Sequence, residues 1–220
     1  MNSNLILIFF LFPVLTGCVN VHHEDHIFES KSSTTIIQPT SNSSNEFEIN
    51  CDTIYRNKFL KIKLSPLNKG NNHELNYTFI FQLLKEQNKQ KVEIYRDTIV
   101  SLVQKVEFID FNNDNIKDIL IQNSSDVRSN WTYNLYLVDK TKTKVQKIRG
   151  FEKIKNPNYL PKYDLIDNKV MSGRNWTSFY KIQGDSIIDY QIIVYEEGNK
   201  NEESTYGSEY KKAIKRIIGD

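Results

Sequence analysis

Between two apolar, β-branched runs, Val106-Glu107-Phe108-Ile109 and Ile119-Leu120-Ile121, lies the turn Asp110-Phe111-Asn112-Asn113-Asp114-Asn115-Ile116-Lys117-Asp118. Oxygen-bearing side chains fall at the first, third, fifth and ninth positions, and the Ile116 carbonyl falls at the seventh, which is the ligand spacing of a calcium loop. Calcium takes about six to eight oxygen ligands in flexible geometry. Three carboxylates, one amide and one main-chain carbonyl supply most of such a set, and water or an outside residue supplies the rest. Asp110, Asn112, Asp114, Ile116 and Asp118 are therefore the candidate ligands, and Ca2+ is the expected cofactor. The metal-free alternative is an Asx-rich hairpin turn.

The loop departs from the helix–loop–helix pattern twice. Asn115 stands where glycine is expected, and Ile121 stands where a bidentate glutamate would fall. Asparagine tolerates the left-handed backbone, so the turn survives the first change. Losing the glutamate argues against an affinity-tuned sensor. With strand formers on both sides, the segment resembles single calcium loops of the FG-GAP or VCBS type, which tie adjacent strands together.

The chain opens with Met1-Asn2-Ser3-Asn4, an apolar run from Leu5 to Leu15, and Leu15-Thr16-Gly17-Cys18. That run is too short for a good membrane-spanning helix. It resembles a bacterial lipoprotein signal with its lipobox, although no Lys or Arg precedes it; an ordinary secretory signal is the alternative. The resemblance implies residues 1–17 as a cleaved signal, Cys18 as the lipidated residue, and a place in the cell envelope. With no Asp directly after Cys18, it implies the outer membrane, facing the periplasm or the outside. Residues 18–50 are rich in Ser, Thr and Asn and read as a flexible tether. His22, His23 and His26 with Glu24 and Asp25 form a transition-metal candidate, but the composition favours a solvated linker. The only other cysteine is Cys51, so the mature chain has no internal disulfide, and Cys51 reads as a small buried thiol. A bound cation is then a reasonable alternative constraint on the fold.

From residue 51 to 220 we expect one all-β domain. Short runs rich in Tyr, Phe, Ile and Val recur between Asn, Asp, Gly and Lys clusters. They include Trp131 to Val138, Val145 to Phe151, Lys169 to Met171 and Ser178 to Gln183. Such an antiparallel meander either closes as a small propeller or stacks as a β-sandwich. The closing segment, with Lys211, Lys212, Lys215 and Arg216, reads as a short amphipathic helix or a terminal strand with a solvated basic face. Contact with anionic lipid is a lesser alternative.

Against 29 basic side chains stand 27 acidic ones, a formal net charge of +2. That balance, without a long basic block, disfavours nucleic acid as a partner. Outside the tether the only histidine is His73, in the polar turn Asn71-Asn72-His73-Glu74. No glycine-rich phosphate loop and no zinc-spaced Cys/His set is present. A glycosidase needs only two acids with no fixed spacing, so carboxylates alone do not exclude one. The missing inventory points to a protein that is not an enzyme.

One motif points further. Met171-Ser172-Gly173-Arg174-Asn175-Trp176 carries a Ser-Gly-x-x-aromatic core that resembles the protruding Ser-Gly-x-x-Tyr loop of periplasmic inhibitors of invertebrate- and goose-type lysozymes. The calcium loop, the segment Tyr133-Asn134-Leu135-Tyr136-Leu137-Val138-Asp139, Asn156-Pro157 and this loop occur in the same order. The array resembles calcium-binding periplasmic lipoproteins that protect bacteria from lysozyme-like effectors delivered by type IV secretion. That resemblance implies a five-bladed, propeller-like fold and a muramidase as partner, with Ser172, Gly173, Arg174 and Trp176 forming the inhibitory loop. Ser172 and Trp176 would donate hydrogen bonds, Gly173 would permit a sharp turn, and Arg174 would pair with a carboxylate. The family has Tyr where this chain has Trp176, which removes the phenolic acceptor. The competing reading is a structural or glycan-binding envelope lipoprotein with Trp131 and Trp176 as exposed sugar platforms.

Overall fold

The computed structural model describes residues 34–37, 46–67, 78–196 and 205–219. The expected signal, Cys18, the His22/His23/His26 cluster and His73 lie outside them. Thirteen strands and one helix are described: β1 (Thr35–Ile37), β2 (Phe47–Asn50), β3 (Leu60–Pro66), β4 (Thr78–Gln87), β5 (Gln90–Val100), β6 (Val106–Ile109) and β7 (Asp118–Ser125). Then follow β8 (Trp131–Val138), β9 (Val145–Lys147), β10 (Pro157–Leu160), β11 (Leu165–Asn168), β12 (Trp176–Gln183), β13 (Ser186–Tyr195) and α1 (Tyr206–Ile218). The protein is all-β and antiparallel, as expected. The described strands group into three sheets rather than five blades: β2-β3-β4-β5, β1-β6-β7-β8-β9 and β10-β11-β12-β13.

The sheets stack because the middle one is apolar on both faces. Phe108, Ile119, Ile121 and Tyr136 pack against Ile62, Leu64, Phe81 and Leu83 of the first sheet. Leu120 and Leu135 turn the other way, onto Phe111, Phe151, Tyr159 and Ile166. β7 is accordingly buried at every residue from Asp118 to Gln122, whereas β3 alternates between buried and half-buried. Each fully buried Ile, Leu or Phe contributes roughly 1.5–3 kcal/mol. The third sheet is capped by α1, whose Tyr210, Ala213 and Ile214 pack on Phe179 and Val194. Gly219 ends this helix at φ 82°, its N–H bonded to the Lys215 carbonyl, a left-handed cap that favours glycine.

Four expectations change. The segment expected to be a tether, 18–50, contributes β1 and β2, because Ile37, Phe47 and Ile49 have apolar surface to bury against the core. The strand expected to run from Val145 to Phe151 stops at Lys147, since Gly150 at φ 86° turns the chain into a single 3-10 turn, Phe151–Lys153. Lys169–Met171 is not a strand; only Val170 makes a bridge, to Trp176. Pro157–Leu160, which none of the expected strands included, is the edge strand β10, a position where proline's missing N–H costs no ladder bond.

Candidate functional site

The loop between β6 and β7 is organised by its own side chains. The Asp110 carboxylate accepts the N–H groups of Asp114 (3.1 Å) and Asn115 (2.8 Å), and the Asn112 carbonyl oxygen also accepts from Asp114 (3.2 Å). Asp114 accepts from the Ile116 N–H at 2.8 Å. Asp118 is fully buried and takes one N–H from each side, Phe111 within the loop and Val138 on β8, both at 2.9 Å. Asn113 and Asn115 adopt φ 58° and 65°, so asparagine does supply the left-handed turn where helix–loop–helix sites use glycine. The Tyr55 hydroxyl ties the loop to the first sheet by donating to the Lys117 carbonyl at 2.7 Å.

Burial pushes the Asp118 carboxyl up to about 7, against the two N–H groups that hold it down, and the charges of Asp114 and Asp110 raise it further. A buried carboxylate with two further carboxylates beside it is a setting a divalent cation would relieve. The described residues nevertheless hold no group of three or more His, Cys, Asp or Glu side chains gathered for a metal as they stand. The loop's oxygens face backbone amides instead. Each carboxylate oxygen keeps a second lone pair in that arrangement, and Asn112 and the Ile116 carbonyl add oxygens of the type calcium prefers. The donor chemistry and backbone turn fit calcium, which Asp110, Asn112, Asp114, Ile116 and Asp118 would hold.

The second site lies between β11 and β12. Val170 and Trp176 exchange two backbone hydrogen bonds, 2.8 and 3.2 Å, which close the segment 171–175 into a loop. Inside it, the Ser172 hydroxyl donates to the Arg174 carbonyl and the Ser172 N–H donates to the Asn175 side chain at 3.1 Å. The Asn175 amide reaches Glu196 at 2.9 Å, and Lys169 pairs with the same carboxylate at 2.6 Å. From below, Asn130 grips Met171 twice, accepting its N–H at 2.7 Å and donating to its carbonyl at 2.8 Å. Asn156, in turn, donates to Asn130 at 3.1 Å and to the Lys169 carbonyl at 2.8 Å. Asp126 accepts from Asn130 and from Lys155, and these bonds, Lys155 first, hold its carboxyl well below the usual carboxylate range.

The four residues expected to act together are placed differently. Ser172 is half-buried and its hydroxyl is committed within the loop, so it is not the outward donor expected. Gly173 is exposed and has an ordinary backbone, where a Cβ would meet nothing; hydrogen bonds from Ser172, not glycine's freedom, make the turn. Trp176 is half-buried at the start of β12, opposite Tyr195. Arg174 alone is exposed and charged, its guanidinium 4.4 Å from the Tyr195 ring centroid. Trp131 is likewise half-buried at the start of β8. Neither tryptophan is the fully exposed residue that the glycan-binding alternative expected.

The residues that sequence reasoning missed are Asn130, Asn175 and Tyr195. A signal existed: Asn130-Trp131-Thr132 and Asn175-Trp176-Thr177 are the same tripeptide, each opening a strand and each with its asparagine bonded to the 171–172 backbone. Cys51 is buried, donates weakly to the Ile49 carbonyl, and is pushed up to about 12 by burial, so it is an inert thiol as expected.

Neither a protein-family model nor any curated protein matches the chain. Among solved structures, one described as "Structure of a Xanthomonas Type IV Secretion System related protein" is similar at a TM-score of 0.42 and 9% identity. The match covers 78% of this chain and 98% of that one. A likeness of that size assigns no activity.

Proposed function

We propose that this chain is a non-enzymatic protein of the bacterial cell envelope that binds and inhibits a lysozyme-like muramidase through the 171–176 loop. In this reading it is anchored by lipid on Cys18, at the outer membrane, and fastened by Ca2+ at the Asp110–Asp118 loop. The observation that carries the reading is Arg174, an exposed guanidinium 4.4 Å from the Tyr195 ring centroid in a loop whose backbone is clamped by Asn130 and Asn175. A muramidase cleft contains two carboxylates that must stay open to sugar. A guanidinium fork matches a carboxylate bidentately and removes it from catalysis. Because the stack and the clamps fix the arginine before contact, little ordering entropy is lost on binding.

Residue roles shift accordingly. Arg174 makes the contact, Ser172 and Asn175 hold the loop's shape, and Trp176 supports it from the strand behind. Calcium, when bound, would neutralise the loop carboxylates and fasten β6 to β7 without touching the target. The half-buried placement of Trp131 and Trp176 favours this reading over sugar binding on an aromatic face.

Cleft occupancy is testable by competition. Binding of the calcium-loaded chain to hen, goose and invertebrate-type lysozymes is measured with and without saturating tri-N-acetylchitotriose. The proposal expects binding to at least one enzyme, displaced by the sugar and weakened about tenfold or more by Arg174→Ala. Binding indifferent to both sugar and Arg174→Ala would place the contact elsewhere and sink it.

A further inference from the structure

Edge strands expose unpaired N–H and C=O groups, and proteins guard them with charges, proline, brevity or bulges. The guards are visible on the other edges of the three sheets. β1 and β9 have three residues each, β2 carries Glu48, β10 opens on Pro157, and β5 carries Lys91, Glu93, Arg96 and Asp97. β13 differs. It is ten residues long, has Asp189 as its only charge, and exposes Ile188, Ile193 and Tyr195. Its first residue is covered by a bridge from Arg149, and a register shift opposite Ser178–Tyr180 bends its middle. Among the described residues, no strand pairs with the outer edge of Ile192–Tyr195.

A groove runs along that part. All four residues from Ile192 to Tyr195 line it. Successive side chains of a strand point to opposite faces, so four in a row reach one groove only where it follows the strand's edge. Its far wall is α1, where Lys212 pairs with Glu209 at 2.8 Å and Arg216 adds a second cation; Arg174, over the Tyr195 ring, lines it as well, so three cations face one carboxylate. The basic face of the C-terminal segment thus overlooks an open backbone edge. A second copy of the chain is a poor occupant, because a two-fold edge pairing would bring one basic helix face toward the other.

We propose that β13 is a strand-addition site for an extended acidic peptide segment of a partner protein. Its main chain pairs with Ile192–Tyr195, and its carboxylates face Arg174, Lys212 and Arg216. Main-chain bonds supply affinity and the charges supply selectivity, the usual division in strand addition. This surface is separate in its logic from the muramidase reading, and the α1 residues distinguish the two.

The test uses the full chain and a fluorescein-labelled peptide of about eight residues alternating Glu and Val, long enough to span the open edge. Anisotropy is expected to show saturable binding, weakened about tenfold or more by Lys212→Glu with Arg216→Glu, and equally by N-methylating alternate amides of the peptide. Circular dichroism checks that the variant stays folded, and a Lys-Val peptide is expected not to bind. Three results would each overturn the proposal. One is no binding up to about 1 mM, the weakest affinity worth the name. Another is equal binding of the N-methylated peptide, which would mean charge without strand pairing. The third is self-association of the full chain that Ile193→Lys abolishes, which would make a second copy the occupant.

Discussion

The loops at 110–118 and 171–175 are both short polar turns joining neighbouring strands, yet they direct their chemistry in opposite senses. In the first, carboxylates turn onto the loop's own amides and Asp118 reaches into the core to hold Val138. In the second, the polar side chains inside and beneath the loop hold it still, and the one strong charge, Arg174, faces outward over Tyr195. A turn whose charges face inward fastens the fold. One whose hydrogen bonds are spent on rigidity, leaving a cation exposed, is built for contact.

That contrast breaks most readily at Asp118. Asp118→Ala strands two buried N–H groups, those of Phe111 and Val138, and is expected to cost about 3 kcal/mol in urea unfolding. Next comes calcium. If the inward loop holds the ion, calcium at about a hundred times its Kd stabilises the fold by about 2.7 kcal/mol. Asp110→Ala or Asp114→Ala removes that increment, which a calorimetric melt with and without chelator reads directly. Asn130→Ala unpairs both main-chain groups of Met171 and should cost about 2 kcal/mol. Because it loosens the second loop, it should also weaken target binding without altering the calcium increment.

Arg174→Ala sharpens the contrast from the other side. Unfolding should change by less than about 0.5 kcal/mol, as for other exposed residues, while target affinity falls. The smallest effect is acid sensitivity beneath the second loop. The Asp126 carboxyl sits below its unfolded value, so its contribution is complete above about pH 4 and is lost as pH falls through the folded value. The hydrogen-exchange protection factor at Met171, the rate corrected for the pH dependence of free amides, should therefore fall with acid below that pH in the wild type, and show no such step in Asp126→Asn.

Much of this was legible in the chain. Strand β8, Trp131–Val138, has the expected bounds because strand formers fill it and polar turn residues flank it, and the 110–118 spacing located a turn that does use left-handed asparagines. The three-sheet stack was not legible. It depends on β7 being buried on both faces, and the continuous apolar run Ile119-Leu120-Ile121 signals such burial without saying which strands cover it. Ile37, Phe47 and Ile49 were hidden in a polar stretch whose composition outweighed them. At the second loop the sequence singled out Arg174 within a short motif, but Ser172 turning inward and Gly173 keeping an ordinary φ follow from hydrogen bonds to Arg174 and Asn175 that spacing does not encode.

The central claim, that the outward loop disables a muramidase, is tested most directly by titrating the calcium-loaded chain into peptidoglycan hydrolysis by goose- and invertebrate-type lysozymes, with Arg174→Ala in parallel. The account predicts saturable inhibition of at least one enzyme that falls about tenfold or more in the variant. Full hydrolysis at every concentration of a folded, calcium-loaded chain, or inhibition that Arg174→Ala leaves unchanged, would contradict it.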